Sequence, residues 1–327
     1  MKNISVRAPL RISFAGGGTD LPSYYNNYGG EVINATINKF IYITIKVVNK
    51  NYCDFIIKKK VHTFKSSNYK KYKKEGTFYL LRASFEYLTE KYNDSQPINC
   101  ETEVISESSP GTGLGSSSTL IVAFIKGLTD FYGYNLSKKQ IANEAYIIER
   151  KICNLSGGLQ DHFAASYGGF NHLQINKKGN VKVKKLKLSR SFLSRLETSI
   201  YLLNLGVSRN SSTIINDQNK NIKLVNKDVL NNFSKIKSIT KKILASIENE
   251  SLDSLVKSID IGWEYKKKTS NLITNKNIDE CIKVLRRYKA RGIKVSGAGG
   301  GGYLFFFADI KFKNKIIKEI SRYGEIE

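Results

Sequence analysis

Apolar and β-branched residues occur in short runs through the first 57 positions, which predicts strands. The runs Ile4–Ala8 and Leu10–Ala15 are separated by Pro9, and Lys39–Val48 is rich in β-branched and aromatic side chains. We therefore expect residues 4–57 to be mainly extended, with an interruption at the proline.

The pattern then changes to helical spacing. An amphipathic helix is predicted at Phe78–Tyr92, a short alternating strand at Cys100–Ile105 and an apolar helix at Ser117–Phe131. Ser137 is followed three positions later by a glutamine, which forms a capping box, so a further helix should run from there to about Cys153.

A second set of strands and helices fills the rest of the chain. Tyr167–Ile175 and Val181–Leu186 flank the turn sequence Asn176–Asn180, which predicts a hairpin. Positions 210–290 have a mostly helical pattern. The remaining predicted elements are strands at Ile293–Ser296 and Tyr303–Ala308 and a last helix at Lys311–Arg322.

Strands and helices come in two successive sets and not in a regular βαβ alternation. This order predicts an α+β fold with two domains. We place the boundary near the Gly168-Gly169 pair, which gives an N-terminal domain at 1–170 and a C-terminal domain at 171–327. No internal repeat is present in the sequence.

The composition indicates a folded cytoplasmic protein. Of 327 residues 41% are hydrophobic, which is enough for a sizeable core. Cys53, Cys100, Cys153 and Cys281 lie far apart and form no CxxC pair, so we expect reduced thiols and no zinc site. The sequence has no signal-peptide pattern and no apolar run long enough to span a membrane, so no membrane role is expected.

The net charge of +25 makes nucleic-acid binding a possibility to weigh. The basic residues are mostly lysines in scattered runs, such as Lys58–Lys60, Lys70–Lys74 and Lys266–Lys268. Because no binding module stands beside them, we interpret these runs as solvated surface that attracts anionic substrates. A basic protein whose glycine loops are only structural stays open as a distant alternative; it would bind DNA or RNA salt-sensitively and have no affinity for ATP.

Three glycine-rich segments carry most of the chemical information. The central one follows a strand and opens a helix, so its glycines permit close backbone approach while the helix presents unpaired N–H groups to an anion. No lysine follows the glycines as in a Walker A loop, and a second helix stands where a dinucleotide fold would have a strand. The residues expected to bind phosphate are Pro110, Gly111, Thr112, Gly113, Leu114, Gly115, Ser116, Ser117 and Ser118.

The two other glycine segments indicate further contact with a ligand. In Ala8–Pro22 a strand carries Arg11 and ends in three glycines, and Asp20 beyond them can accept hydrogen bonds from two sugar hydroxyls at once. Lys294–Tyr303 has four adjacent glycines between apolar strands, which fits a backbone that passes close to a ligand better than a sheet.

Two carboxylates stand between these segments. Glu149 lies on a predicted helix, and Asp161 follows a double glycine shortly after it. Carboxylates this close in sequence can serve as metal ligand and as base.

Together these segments resemble the GHMP kinase superfamily, which includes galactokinase and the homoserine, mevalonate and phosphomevalonate kinases. The three motifs of that family occur in order at Pro9–Gly16, Pro110–Ser118 and Ser296–Gly302, and the resemblance spans nearly the whole chain. It implies a two-domain α+β fold with ATP between the domains, and ATP and Mg²⁺ as cofactors.

The resemblance also implies roles for single residues. The second motif wraps the phosphates, and the Mg²⁺ contacts of the family fall on Ser117 and Glu149. The candidate base falls on Asp161, although its segment Ser-Gly-Gly-Leu-Gln-Asp is one residue longer than the family pattern. Arg11 would offset charge near Asp161 and the attacked hydroxyl.

The acceptor is also indicated only by resemblance. Phe14–Tyr24, Gly158–Asn171 and Gly206–Ser212 look most like the sugar-1-kinases that act on D-glycero-D-manno-heptose 7-phosphate, while fucokinase-type domains share the Gly-Gly-Thr-Asp segment. This implies a cytoplasmic monomer or homodimer that phosphorylates a sugar phosphate; a kinase for L-fucose or another sugar, or a non-catalytic sugar sensor, stays open. The residues expected at the acceptor are Gly16, Gly17, Gly18, Thr19, Asp20, Gly158, Arg209, Gly299 and Gly300.

Overall fold

The computed structural model describes residues 3–76, 78–206 and 211–326. Helices and strands alternate irregularly along the chain. The first half contains β1 (Asn3–Ala15), α1 (Pro22–Tyr28), β2 (Gly30–Val47), β3 (Tyr52–Ile57), β4 (Lys60–Lys65), α2 (Tyr79–Tyr92), β5 (Cys100–Ser106), α3 (Ser116–Phe131), α4 (Lys138–Tyr146) and α5 (Gln160–Tyr167).

The second half begins with a hairpin and is then mostly helical, as its sequence pattern predicts. Its elements are β6 (Phe170–Ile175), β7 (Val181–Lys185), α6 (Arg190–Ser199), β8 (Ile200–Asn204), α7 (Ser211–Lys223), α8 (Lys227–Glu248), α9 (Leu252–Lys267), α10 (Lys276–Arg287), β9 (Arg291–Val295), β10 (Tyr303–Phe307), α11 (Lys313–Ile320) and β11 (Glu325–Ile326). Within the described residues no helix is both long and apolar enough to cross a lipid bilayer.

The chain forms two compact units, and each is discontinuous in sequence. Unit 1 consists of Met1–Arg11, Thr36–Ser109 and Gly115–Gly168, and unit 2 consists of Ile12–Ala35, Pro110–Leu114 and Gly169–Glu327. The predicted domains, 1–170 and 171–327, are continuous in sequence, whereas these units are not. The predicted boundary therefore stays a prediction.

Unit 1 pairs strands with a layer of helices. The second part of β2 runs antiparallel to β5, β5 runs parallel to β3, and β3 runs antiparallel to β4. Along β2 the side chains of Ile41, Ile43 and Ile45 are buried and alternate with more exposed ones, as expected for a strand with one covered face. Gly127 of α3 lies against Ile45, so the helix can pack closely on this strand.

Unit 2 holds the first part of β2, which runs antiparallel to β6, and the β6–β7 hairpin. It also contains a four-stranded antiparallel sheet in the order β11-β8-β10-β9. The core beside that sheet includes Trp263, Leu304 and Phe306. Trp263 is only 1% exposed and is therefore a core residue.

Two predictions about the first strands were wrong. The structure has one continuous strand, β1, through Pro9; among the described residues β1 pairs with β2 alone, and proline is tolerated on edge strands. The region 4–57 also contains the helix α1, which starts at Pro22 and ends against Gly29 with φ +64°. Proline at the first helical position and glycine after the last are typical helix boundaries.

The helix after the capping box is also different from the prediction. The box itself is present, since the Ser137 hydroxyl accepts the N–H of Gln140 and the glutamine side chain accepts the N–H of Ser137. The α-helix ends at Tyr146, however, and the chain continues as a π-helix over Ile147–Ile152. This wider turn contains Glu149, and π-helical turns are frequent at functional sites.

Candidate active site

The central glycine loop leads into an uncapped helix N-terminus in unit 1. α3 begins at Ser116 after Gly115, whose φ of +81° is in the region that favours glycine, and no side chain caps the helix. The hydroxyl of Ser116 is buried and has no hydrogen-bond partner among the described residues. Unpaired first-turn N–H groups and an unsatisfied hydroxyl together form a suitable site for an anion.

Glu149 lies directly beside this helix start. Ser117 Oγ donates to Glu149 Oε1 over 2.6 Å, and Ser118 Oγ donates to Oε2 over 2.5 Å. The Glu149 side chain is completely buried. Burial raises the pKa of Glu149, but Arg150 and the hydrogen bond from His162 outweigh burial, and the pKa lies well below its ordinary value. Glu149 is therefore a buried carboxylate that stays ionised.

His162 and Arg150 hold this carboxylate from the other side. His162 Nε2 donates to Glu149 Oε2 over 2.6 Å, and the imidazole is fully buried. Arg150 Nη2 is 3.4 Å from the same oxygen, and Nη1 donates to the carbonyls of Leu155 and Ser156. His162 is therefore a buried partner of the Glu149 carboxylate.

Arg11 and Asp161 form a close ion pair in unit 1. Arg11 Nη2 is 2.6 Å from Asp161 Oδ1, and Arg11 Nε donates to the same oxygen over 2.7 Å. Asp161 lies in the first turn of α5, where the helix dipole favours a negative charge. Burial raises the pKa of Asp161, but the Arg11 guanidinium lowers it by more. The pKa of Asp161 therefore lies below its ordinary value.

Gly115 joins the ion pair to the helix start. A Cβ atom at this position would lie 3.3 Å from Asp161 Cγ and 3.5 Å from Arg11 Cζ. The absence of a side chain at Gly115 therefore allows the uncapped N-terminus of α3 to approach both charged groups. An anion site, a buried carboxylate with two serine hydroxyls and an Arg–Asp pair are thus brought together within one unit.

The donor set of Ser117 and Glu149 fits a magnesium ion. Both groups offer hard oxygen atoms, and Glu149 Oε1 accepts a hydrogen bond only from Ser117 among the described residues, which leaves it a free lone pair. Those same parts of the chain contain no cluster of three or more His, Cys, Asp or Glu side chains able to hold a metal. Magnesium commonly takes one or two protein ligands and completes its shell with water and substrate phosphates, so two ligands suffice.

Unit 2 contains the first glycine segment with Asp20. The hydroxyl of Thr19 lies 2.8 Å from the carbonyl oxygen of Gly16 and 2.9 Å from that of Glu31, and it is fully buried. Asp20 Oδ1 accepts the N–H of Gly18 over 3.0 Å, and its side chain is also buried. A Cβ at Gly16 would lie 1.8 Å from the Glu31 carbonyl oxygen, so only glycine fits there.

The third glycine segment lies against the start of the central loop, also in unit 2. The N–H of Tyr303 donates to the carbonyl of Thr112 over 2.9 Å, and a Cβ at Gly113 would lie 2.6 Å from the carbonyl oxygen of Ser296. Gly300 donates its N–H to the carbonyl of Ile273 over 2.7 Å. The close packing of two glycine loops explains why both need residues without side chains.

The acceptor roles predicted for residues 16–20 and for Gly300 stay predictions, and the same holds for three further residues. Gly158 is half-buried in the loop before α5. Gly299 packs against Ile273, where a Cβ would lie 2.8 Å from its carbonyl oxygen. Arg209 lies outside the described residues. The acceptor role of all three stays a prediction.

The sequence interpretation of Lys266 as solvated surface was wrong. Its side chain is buried, with 5% of the residue exposed, and Nζ donates to the carbonyl of Gly17 over 3.1 Å. The helical spacing of the sequence indicates that Lys266 is buried, because it lies on the same face of α9 as the buried residues Ile259 and Trp263. A lysine on the apolar face of a helix is unusual, because lysine is rarely buried without a partner.

Comparison with known proteins identifies this arrangement. Residues 79–169 match the GHMP kinases N terminal domain, and residues 243–325 match the GHMP kinases C terminal domain. The chain is 29% identical to D-glycero-alpha-D-manno-heptose 7-phosphate kinase of Campylobacter jejuni, with 98% of this chain and 94% of that protein covered. It is 26% identical to L-fucokinase/L-fucose-1-P guanylyltransferase of Bacteroides fragilis, with 92% of this chain and 34% of that protein covered.

A solved structure is similar to this chain over its whole length. The D-glycero-D-manno-heptose 1-phosphate kinase from Bacteroides thetaiotaomicron superposes with a TM-score of 0.82 at 26% identity, covering 100% of this chain and 95% of that one. These similarities define an enzyme that transfers a phosphoryl group from ATP to an alcohol group. The chain belongs to the GHMP kinase family, which confirms the predicted α+β fold class and the predicted enzyme class.

Proposed function

We propose that this kinase phosphorylates the anomeric hydroxyl of D-glycero-D-manno-heptose 7-phosphate and produces the 1,7-bisphosphate, a precursor of nucleotide-activated heptose for surface polysaccharide. The observation that carries the reaction type is the Arg11–Asp161 ion pair beside the uncapped start of α3. The choice of acceptor is supported by the similarity to the Campylobacter jejuni enzyme over 98% of the chain.

The phosphates of ATP would bind at residues 110–118. The first N–H groups of α3 and the unsatisfied Ser116 hydroxyl would donate hydrogen bonds to phosphate oxygens. Ser117 and Glu149 would hold Mg²⁺, which neutralises phosphate charge when it is bound. His162 and Arg150 would keep the Glu149 carboxylate oriented, because both contact the oxygen that does not face Ser117.

Asp161 would orient the attacking hydroxyl and accept its proton. The hydroxyl oxygen forms a bond to the γ-phosphorus, the bond from that phosphorus to the bridging oxygen of ADP breaks, and the hydroxyl proton passes to Asp161. Because its pKa is lowered, Asp161 is a weak base, which suits a loose transition state in which nucleophilic attack needs positioning more than early deprotonation. Arg11 would stabilise the ionised carboxylate before the transfer and the charge that develops near the acceptor oxygen.

The acceptor itself would lie at residues 16–20 of unit 2. Asp20 would accept hydrogen bonds from sugar hydroxyls, and the glycines would permit close approach of the sugar to the backbone. Gly158, Gly299, Gly300 and Arg209 are the further proposed acceptor contacts, and Arg209 is our candidate for the phosphate of the sugar.

Two other acceptors belong to the same proposal as alternatives. The relative from Bacteroides fragilis carries a fucokinase activity in its name, and the structural relative from Bacteroides thetaiotaomicron is named for a heptose 1-phosphate. The first two possibilities would give the same 1,7-bisphosphate, from heptose 7-phosphate or from heptose 1-phosphate, and the third would give a fucose phosphate. They are therefore separated by which acceptor the enzyme turns over.

The test is incubation of the protein with Mg·ATP and each of heptose 7-phosphate, heptose 1-phosphate, L-fucose and mannose 6-phosphate. The proposal predicts a bisphosphate from heptose 7-phosphate, detected by mass, with the new phosphorus coupled to the anomeric proton in a phosphorus–proton correlation spectrum. Turnover of L-fucose or heptose 1-phosphate with higher kcat/KM would replace the proposed acceptor.

A further inference from the structure

Lys266 is a buried lysine next to the first glycine segment. It lies in the last turn of α9, and its ammonium group donates to the carbonyl of Gly17 over 3.1 Å. Among the described residues this carbonyl is its one hydrogen-bond acceptor, and Asp20 is the one charged group that acts on it. An ammonium has three donors, so the protein satisfies Lys266 only in part.

Keeping a charge in this position is unfavourable for the folded protein. Burial lowers the pKa of Lys266 to about 8, although the nearby Asp20 carboxylate acts in the opposite direction. A methionine would fill similar space without this cost. Charged groups that are buried with incomplete pairing are more often found at functional sites than in ordinary cores.

A second unsatisfied polar group lies against the same glycine. The hydroxyl of Ser13 is buried without a hydrogen-bond partner among the residues described, and a Cβ at Gly17 would lie 3.5 Å from it. The ammonium group of Lys294, from β9, donates to the main-chain carbonyl of Ser13. Gly17 itself is only half-buried.

Gly18 is packed closely against Phe233 and Lys266. A Cβ at Gly18 would lie 2.7 Å from the ring of Phe233 and 3.3 Å from Lys266 Nζ. Glycine at this position therefore leaves the lysine close to the backbone of residues 16–18. The contacts of Lys266, Ser13 and Gly18 all lie within unit 2 and concern the same short segment.

We propose that Lys266 is an acceptor-binding residue, which donates a hydrogen bond to a hydroxyl oxygen of the sugar whose neighbouring hydroxyl donates to Asp20. A pair of adjacent hydroxyls can accept from an ammonium and donate to a carboxylate at the same time. A phosphate group would be repelled by Asp20, so the charge pattern favours the polyol part of the acceptor. This inference rests on the proposed function.

The alternative is that Lys266 only stabilises the glycine segment and does not contact the acceptor. A cavity of about 20 Å³ lies beside Gly17, Lys266 and Lys294 and is walled by the isoleucines of α8. A cavity of this size holds one water molecule, which could complete the hydrogen bonds of the ammonium. In that case the lysine would stabilise the segment and have no specific effect on acceptor binding.

The experiment compares Lys266→Met, which removes the donor and the charge, with Lys267→Met as the matched control. Lys267 is the next residue on α9, and its Nζ pairs with Glu264 at 2.9 Å. KM for heptose 7-phosphate and for ATP is measured together with the melting temperature. We expect Lys266→Met to raise KM for the acceptor roughly 10- to 100-fold, the range for loss of a hydrogen bond from a charged donor, with KM for ATP unchanged.

The melting temperature separates the two roles. An acceptor-binding lysine predicts that Lys266→Met melts at the wild-type temperature or above, because a buried charge is removed. A lower melting temperature with unchanged acceptor KM would overturn the proposal in favour of the structural role. If Lys266→Met does not fold, Lys266→Gln keeps one donor and should still raise the acceptor KM severalfold; an unchanged value would likewise overturn the proposal.

Monodeoxy acceptors supply a measurement that a structural role would not affect. For the wild type, removal of the hydroxyl that faces Lys266 should raise KM, and the same deoxy sugar should bind Lys266→Met no worse than the parent sugar does. Equal sensitivity of both proteins to every deoxy position would contradict the contact. Wild-type protein that turns over no sugar phosphate at all would defeat the proposed function, whereas active wild type with an unaffected Lys266→Met variant would defeat this inference alone.

Discussion

Asp161 is the residue on which the proposed chemistry depends most. Asp161→Asn keeps the size and hydrogen-bonding capacity of the side chain but removes the charge that orients the attacking hydroxyl and accepts its proton. We expect kcat to fall by about 10²-fold or more, which is the usual contribution of a general base. KM for ATP should change little, because the phosphates are expected at the start of α3. Steady-state kinetics with an ADP-release assay measures both constants.

Asp130→Asn is the matched control for this substitution. Asp130 lies at the other end of α3, where it pairs with Lys126 on the protein surface at 2.5 Å. Its loss should leave both kinetic constants near those of the wild type. A near-normal kcat for Asp161→Asn would remove Asp161 from the catalytic role.

The Arg11–Asp161 pair also predicts a pH dependence. The lowered pKa keeps Asp161 ionised as the pH falls from neutral, so the wild type should lose kcat through this group only below the ordinary aspartate pKa of about 4. In Arg11→Gln the burial that raises the pKa is no longer opposed by the guanidinium. The acid limb of the kcat profile should therefore move to higher pH, whatever the absolute kcat of the variant.

The control for this shift is Arg291→Gln, which removes a solvent-exposed ion pair with Asp253. Circular dichroism at each pH excludes acid unfolding as the cause of lost activity. Superimposable acid limbs for Arg11→Gln and the wild type would show that Arg11 does not set the pKa of the group that limits kcat.

At the scale of elements, the packing of two glycine loops should control the ATP site. Gly113 has φ +79°, and a Cβ there would lie 2.6 Å from the carbonyl oxygen of Ser296. Gly113→Ala should cost about 1–3 kcal/mol from backbone strain, with the steric clash in addition, and should displace the phosphate loop. We expect a raised KM for ATP and a lower melting temperature.

Gly133→Ala separates strain from the clash. Gly133 has a similar φ of +87°, but apart from its chain neighbours no described residue has an atom within 4 Å of a Cβ at that position. This variant should lose stability through the backbone alone and keep the wild-type KM for ATP. Equal KM values for the two variants would mean that the contact between Gly113 and Ser296 does not shape the ATP site.

Elements specified by neighbouring residues could be predicted from the sequence. The capping box of Ser137 and Gln140 and the hairpin turn at Asn176–Asn180 depend on residues within a few positions, so their sequence signals are complete. The start of α1 at Pro22 was missed although it is also a local signal, because the surrounding apolar residues favoured strands. The path of β1 through Pro9 depends on its position at a sheet edge, which no local pattern specifies.

The parts of the candidate site that the sequence pattern could not predict are contacts between residues far apart in the chain. The glycine motifs were recognisable by their composition, whereas the roles predicted for Glu149 and Asp161 came from family resemblance. The contact of Lys266 with Gly17 joins positions 249 residues apart, and only the fold brings them together. The same is true of Arg11 and Asp161, whose ion pair was suggested by family resemblance and not by any pattern along the chain.

At the scale of the whole molecule, the net charge of +25 should act on the rate of encounter with substrate. Both ATP and a sugar phosphate are anions, so a positive surface potential raises their local concentration, and salt screens it. For the phosphorylated acceptor we expect kcat/KM to fall severalfold between about 0.02 and about 0.2 M salt, while kcat changes little. Initial rates at saturating ATP over a range of salt concentrations provide the measurement.

The unphosphorylated heptose is the control acceptor, because steering depends on the charge of the ligand and binding of its hydroxyl groups does not. Its kcat/KM should be less dependent on salt than that of the 7-phosphate. Equal salt dependence for the charged and neutral acceptors would show that the basic surface has no steering role, and its lysines would then serve only to solvate the protein.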